Sequence, residues 1–212
     1  MDDLEQSELL REWLKANGTA IVTGIVLGLG GLLGWQWWTH NVAQHRLDAA
    51  TTFQSLQNAA DANDAARTEQ FAAELSDKFG NTPYATLALL RLADEKIAQS
   101  DLEASRTALT EALDKAQNPA LTALVRLRLA RVQLASGQAQ EALDNLAKIP
   151  SDDFAGLVAE TRGDALMALG RTDEAVAAYQ NAMTSLETGA PNRSIVEMKL
   201  ADMGVTDSEP GA

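Results

Sequence analysis

No Asp, Glu, Lys or Arg occurs between Ala16 and Gln44, and most of this stretch is apolar. Its centre, GTAIVTGIVLGLGGLLGWQWW at residues 18–38, would span about 31 Å as a helix, close to the thickness of a bilayer's hydrocarbon core. Three tryptophans lie at its end, where indole rings favour the head-group region. The sequence therefore predicts a single transmembrane helix at residues 16–40.

A cleaved signal peptide is the alternative interpretation of this stretch. Signal peptides have a basic leader, a shorter apolar segment and a small-residue cleavage site. Here the leader, residues 1–15, is acidic, and tryptophans occupy the place where cleavage would begin. We therefore expect a retained anchor. Arg11 and Lys15 precede it and Arg46 follows it, which favours a cytoplasmic leader by the positive-inside rule.

Five glycines of the predicted anchor are candidate helix-packing residues. Small residues four positions apart let a second helix approach closely within a membrane. Gly24 and Gly28 have this spacing, as do Gly30 and Gly34, with Gly31 beside them. The alternative is that glycine is simply frequent in membrane helices.

The charge and the lack of cysteine exclude several classes of function. Five acidic and two basic residues precede residue 45, so −3 of the formal charge of −13 lies there and −10 in the remainder. Such a negative domain repels phosphate backbones, so we expect no nucleic acid partner. Without cysteine there is no thiol catalysis or Cys-ligated metal. His40 and His45 are five residues apart and do not share a helix face. We expect neither metal nor cofactor.

Helical periodicity resumes after the anchor. Residues 41–80 predict a linking pair of helices, and Gly80 is expected to cap the second of them. Helical hairpins follow, in which proline opens two helices and glycine ends two. Their predicted helices are Tyr84–Gln99, Leu102–Lys115, Ala120–Ser136, Ala139–Lys148, Phe154–Leu169 and Asp173–Leu186. Ser194 and Glu197 read as the capping box of a last helix that stops at Gly204.

The hairpins repeat with the period of the tetratricopeptide repeat, about 34 residues. The small residues Ala93, Ala130 and Gly163 are equivalent, each about one period after the last. Further equivalent sets are Ser100, Gly137 and Gly170; Ser105, Ala142 and Ala175; and Leu109, Leu146 and Tyr179. Small residues at two helix contacts and a glycine turn are typical of this repeat. Polar residues at usually apolar places (Lys96, Arg126, Gln133, Arg162) leave the repeat boundaries open.

The expected fold is all-α, with one N-terminal transmembrane helix and an α-solenoid of tetratricopeptide-like hairpins. Residues 81–204 are its repeat domain with a C-terminal capping helix, and residues 205–212 are expected to be disordered. No nucleophile elbow, metal-ligand spacing or phosphate-binding loop occurs. Adjacent carboxylates such as Asp152 and Asp153 suit solvated or capping positions better than acid–base catalysis. We therefore expect no enzyme.

With catalysis excluded, we expect the repeat domain to bind another molecule. The first helices of tetratricopeptide hairpins line the concave face of the solenoid, and we predict the binding surface there. An apolar trough with scattered charge suits an extended or amphipathic peptide. The alternative is that its leucines belong to the core. The candidate residues, by register, are Leu87, Leu90, Asp94, Leu124, Leu127, Arg131, Leu157, Glu160, Asp164 and Met167.

The chain resembles the YfgM-like family of ancillary Sec translocon subunits over nearly its whole length. The stretches that carry the resemblance are GWQWW at 34–38, NT at 81–82, LRLARVQ at 127–133, RGDAL at 162–166 and EMK at 197–199. The resemblance implies a bacterial inner-membrane protein with a cytoplasmic N-terminus and a periplasmic repeat domain. It also implies association with the Sec translocon and with a membrane-anchored periplasmic chaperone of the peptidyl-prolyl isomerase class.

The expected function is a non-enzymatic membrane adaptor at the protein-export channel. Its repeat domain would bind a chaperone, an exported polypeptide or both. The alternative is a scaffold for assembly of the envelope or the division complex, unconnected with translocation.

Overall fold

The computed structural model describes residues 3–187 and 189–205, without the side chains of residues 3–10, 14 and 21. Most of the predicted disordered tail, from residue 206 on, lies outside these residues. All regular structure among them is helical. The helices are α1 Asp3–Asp61, α2 Ala65–Phe79, α3 Pro83–Ala98, α4 Leu102–Lys115, α5 Pro119–Ala135, α6 Ala139–Leu146, α7 Ala155–Ala168, α8 Thr172–Ser185 and α9 Pro191–Asp202.

The chain divides into two compact units, Met1–Asp48 and Ala49–Ala212. In the first unit, the described large apolar side chains from Val22 to Trp38 are exposed. No one helix of the described residues combines the length and apolarity of a membrane span. Two helical pieces, Arg11–Ala20 and Val22–Asp61, meet at a 44° bend and together have the required length and composition.

The second unit is a series of helical hairpins that share cores with their neighbours. One core joins α3, α4 and α5, the next joins α5, α6 and α7, and the last joins α7, α8 and α9. A further core includes the end of α1, α2 and α3. Each hairpin therefore buries its apolar face against adjacent ones, as in a solenoid. The helix bounds agree closely with those predicted from sequence.

The turn inside each hairpin has the same backbone geometry in all three repeats. Ser100, Gly137 and Gly170 are left-handed, with φ of 62°, 79° and 72°. In each turn the next amide donates to a carbonyl of the preceding helix: Asp101 to Lys96, Gln138 to Gln133 and Arg171 to Leu166, at 2.8–2.9 Å. These bonds satisfy the carbonyls that a helix end leaves free. The three turn residues that the sequence period aligned are therefore also structurally equivalent.

One expectation about helix ends is wrong. Ser194 is not an N-cap: α9 begins at Pro191, whose fixed φ suits the first helical position, and the Ser194 hydroxyl donates to the Pro191 carbonyl. Gly80 is the C-cap residue of α2, as expected, and its φ of −57° is right-handed. Side-chain caps occur at the starts of α2, α4 and α5, where Asp64, Asp101 and Asn118 accept from backbone amides, whereas the N-cap residues of α6, α7 and α8 form no such bond.

Candidate functional site

Two adjoining cavities form the candidate site, and we call them together the inner groove. The first encloses about 360 Å³ and the second about 390 Å³. Arg131 and Ala135 of α5 line both cavities. The other lining residues of the first are Ala93, Asp94, Ile97, Leu102, Leu109, Arg128 and Val132, and those of the second are Leu134, Glu160, Thr161, Asp164 and Asn192.

The inner groove contains four of the ten residues predicted for the concave face: Asp94, Arg131, Glu160 and Asp164. All four are polar. None of the six apolar residues predicted for the concave face lines either cavity. Leu90 is 4% and Leu127 is 2% exposed, and both belong to the cores. Leu87, Leu124 and Leu157 are half-buried against the same cores, and Met167 is exposed but lines neither cavity.

Polar contacts connect successive first helices along the groove. Asp94 of α3 accepts from the Nη1 of Arg128 on α5, at 2.7 Å to each carboxylate oxygen. Arg131 of α5 donates from Nε to the Thr161 hydroxyl of α7, at 3.3 Å. Asp164 of α7 accepts from the Lys199 ammonium of α9, at 2.6 Å. Asp94, Arg131 and Asp164 each follow the equivalent small residue of their repeat, so one position makes the contact in each repeat.

Glu160 is a buried carboxylate that α9 neutralises. It is 7% exposed, and its two oxygens accept from the Asn192 amide at 2.9 Å and the Lys199 ammonium at 3.4 Å. Lys199 also pairs with Asp164. A buried carboxylate needs such partners because its desolvation is costly. Glu160 and Asp164 therefore hold the capping helix in place, and they do not face the groove as free charges.

Tyr179 of α8 also contacts Asp164 and Lys199. Its hydroxyl donates to Asp164 at 2.6 Å, and the Lys199 ammonium lies 5.4 Å from the centre of its ring. Burial raises the pKa of the Tyr179 phenol, and the hydrogen bond and negative charge of Asp164 raise that pKa further. The neutral phenol is thus the form that the folded protein holds.

This pKa shift predicts that the domain loses stability in strong alkali. An unfolded tyrosine ionises near pH 10, whereas the folded protein retains the proton. The folded state therefore binds more protons, and the free energy of unfolding falls as the pH rises above about 10. Denaturant unfolding followed by circular dichroism between pH 9 and 12 measures the slope. Tyr179→Phe should give a shallower decline, and an unchanged slope would contradict the assignment.

Several groove residues were missed from sequence. Ile97, Leu102, Val132 and Ala135 supply the apolar wall, and Asn192 comes from the capping helix. Lys199 of the same helix lines neither cavity but pairs with the groove carboxylates Glu160 and Asp164. A signal for Lys199 was present, since it follows Asp164 by 35 residues as Arg128 follows Asp94 by 34. Among the side chains that the structure describes, no group of three or more acidic or histidine residues could hold a metal ion.

The geometry of the hairpins and the comparisons agree on the class of protein. A family model described as "Tetratricopeptide repeat-like domain" matches residues 11–205. One crystal form of MamA AMB-1 shares the fold, with a TM-score of 0.50 and 19% identity over 75% of this chain and 84% of that one. The chain is therefore a tetratricopeptide-like repeat protein.

Curated relatives narrow this class. The "Ancillary SecYEG translocon subunit" of Escherichia coli (strain K12) is 31% identical over 95% of this chain and 96% of its own length. Its namesakes from Haemophilus influenzae and Neisseria gonorrhoeae are 30% and 27% identical, over 96% and 92% of this chain and 98% and 95% of their own. The chain belongs to this family of ancillary SecYEG translocon subunits, which confirms the family resemblance seen in the sequence.

Proposed function

We propose that the protein is a non-enzymatic, membrane-anchored adaptor of the Sec translocon. Residues 16–40 cross the bacterial inner membrane, the N-terminus is cytoplasmic, and the repeat domain lies in the periplasm. There it passes exported polypeptides to a membrane-anchored chaperone of the peptidyl-prolyl isomerase class. The names of the relatives support the translocon as partner, and their matches extend over both the apolar segment and the repeats.

The exposed apolar surface of the first unit is the observation that carries this proposal. Ten large apolar side chains between Val22 and Trp38 are more than half exposed, although burying each in an apolar environment would stabilise the protein by about 2 kcal/mol. Water is therefore a poor solvent for this segment. Lipid or the apolar helices of a membrane partner would cover it.

The glycines of this segment offer a test for helix packing against the translocon. Apart from the adjoining backbone of its own helix, an added Cβ at Gly24, Gly28, Gly30, Gly31 or Gly34 would meet no atom of the described chain within 4 Å. A larger side chain there therefore leaves the chain itself undisturbed. Any effect on association reports on a partner helix.

Gly28→Leu should reduce recovery of the translocon with this protein about tenfold. A leucine at this position would keep a partner helix from approaching closely, and a loss of about 1.4 kcal/mol of packing free energy corresponds to a factor of ten. The measurement is quantitative co-purification from detergent-solubilised membranes at equal expression. Leu33→Ile, which conserves volume in the same segment, is the matched control. Equal recovery with both variants would contradict packing through the glycines.

The scaffold alternative predicts another set of partners. If the protein served assembly of the envelope or the division complex, wild-type preparations would contain cell-wall or outer-membrane assembly factors. They would also lack translocon subunits in stoichiometric amounts.

A further inference from the structure

Arg131 interrupts the row of ion pairs along the inner groove. At the equivalent positions of the neighbouring repeats, Asp94 pairs with Arg128 and Asp164 pairs with Lys199. Arg131 instead meets the neutral hydroxyl of Thr161. Within the described part of the chain, no carboxylate forms an ion pair with Arg131. The middle repeat thus has a cationic side chain at this position and no described carboxylate paired with it.

The guanidinium of Arg131 retains unused hydrogen-bond donors. Arginine has five N–H donors, and the only bond from Arg131 to a described residue uses Nε–H. The residue is exposed and lines both cavities of the groove. A planar guanidinium with free Nη donors suits a carboxylate, which can accept two parallel bonds.

An apolar wall lies beside this charge. Ile97 is 43% exposed, Leu102 is half-buried and Ala135 is exposed, and they line the same cavity as Arg131 together with the core residue Val132. The cavity of about 360 Å³ has room for an aliphatic side chain. A ligand that reaches both features presents an apolar group and an anionic group close together.

We propose that the inner groove binds an extended peptide segment of another protein, with an aliphatic side chain in the Ile97–Val132 cavity and a neighbouring carboxylate on Arg131. This inference rests on the proposed adaptor function and specifies the ligand of its repeat domain. The chain after residue 44 carries −10, so a strongly acidic segment is repelled at long range. The segment therefore has a single carboxylate within a neutral or basic sequence.

Selection from a peptide library tests this proposal. The full-length protein, purified in detergent, is applied to an immobilised library of N-acetylated, C-amidated heptapeptides in which all positions vary. The wild type should retain peptides in which Asp or Glu lies within two positions of Leu, Ile or Val. Arg131→Gln should weaken binding of those peptides about tenfold, since a charge-assisted bidentate contact is lost. Arg131→Glu should select Lys or Arg at the acidic position.

Matched variants separate recognition from folding. Arg67→Glu changes an exposed arginine on α2 that pairs with Asp64 and lines neither cavity of the groove, and it should leave the selection unchanged. Ile97→Gln should remove the aliphatic preference and keep the acidic one. Identical selections by wild type and Arg131→Glu, or no retained peptide at millimolar concentration, would overturn the proposal. Co-purification of the translocon with Arg131→Glu would show that the proposed function survives that failure.

Discussion

Gly163→Ala should lower the free energy of unfolding of the repeat domain by about 2 kcal/mol. A Cβ at residue 163 would lie 2.5 Å from Cε1 and 2.6 Å from Cδ1 of Tyr179. The ring cannot move aside easily, because it is 2% exposed and its hydroxyl is bonded to Asp164. Overpacking of this kind costs about 3 kcal/mol, and the better helix propensity of alanine offsets about 1 kcal/mol. Denaturant unfolding followed by circular dichroism measures the difference.

The other repeats indicate how the defect can be repaired. Ala93 with Leu109, and Ala130 with Leu146, occupy the positions of Gly163 with Tyr179. The double variant Gly163→Ala with Tyr179→Leu recreates this pair. It should be more stable than the sum of the two single effects predicts, by at least about 1 kcal/mol. Additive effects would contradict the close contact between residues 163 and 179.

Lys199→Met should lower the free energy of unfolding by about 2 kcal/mol. Methionine keeps most of the apolar stem but removes the charge that serves both Glu160 and Asp164. Glu160 then remains buried without a cation, and removing one partner of a buried pair costs about 3–5 kcal/mol when burial is complete. The expected loss for Lys199→Met is smaller, about 2 kcal/mol, because Lys199 and Asp164 are partly exposed. The readout is again denaturant unfolding, at neutral pH.

Two further variants isolate the charge effect. Lys78→Met removes the cation of an exposed i,i+4 pair with Glu74 and should cost less than about 0.5 kcal/mol. Adding Glu160→Gln to Lys199→Met should restore part of the loss, since the buried group is then neutral. If Lys199→Met cost no more than Lys78→Met, α9 would not depend on this ion pair.

The repeat architecture was predictable because its constraints are local or strictly periodic. Prolines at 83 and 119 fix helix starts, and the turn positions at 100, 137 and 170 recur in register. The small residue at 163 was visible as well, although only the structure shows that Tyr179 is the reason for a glycine there. Local chemistry thus predicts the helices, and the period predicts their pairing.

The binding surface was less predictable, because a first helix inside a solenoid packs on several sides. Apolar residues occur all around α5, which contacts α4, α6 and α7, so no single stripe distinguishes core from surface. Leu127 was therefore assigned to the concave face although it is core. Glu160 was predicted for the same face, and its pairing with Asn192 and Lys199 could not be foreseen because these partners are distant in the sequence.

Site-specific photo-crosslinking from Gly28 in living cells tests the central proposal most directly. A photoreactive residue replaces Gly28, where the described chain leaves space for it, and a second probe replaces Arg106 as a control. The proposed function predicts covalent adducts between the Gly28 probe and subunits of the Sec translocon, absent from the Arg106 probe. Adducts of the Gly28 probe with cell-wall or outer-membrane assembly factors, and none with the translocon, would contradict it.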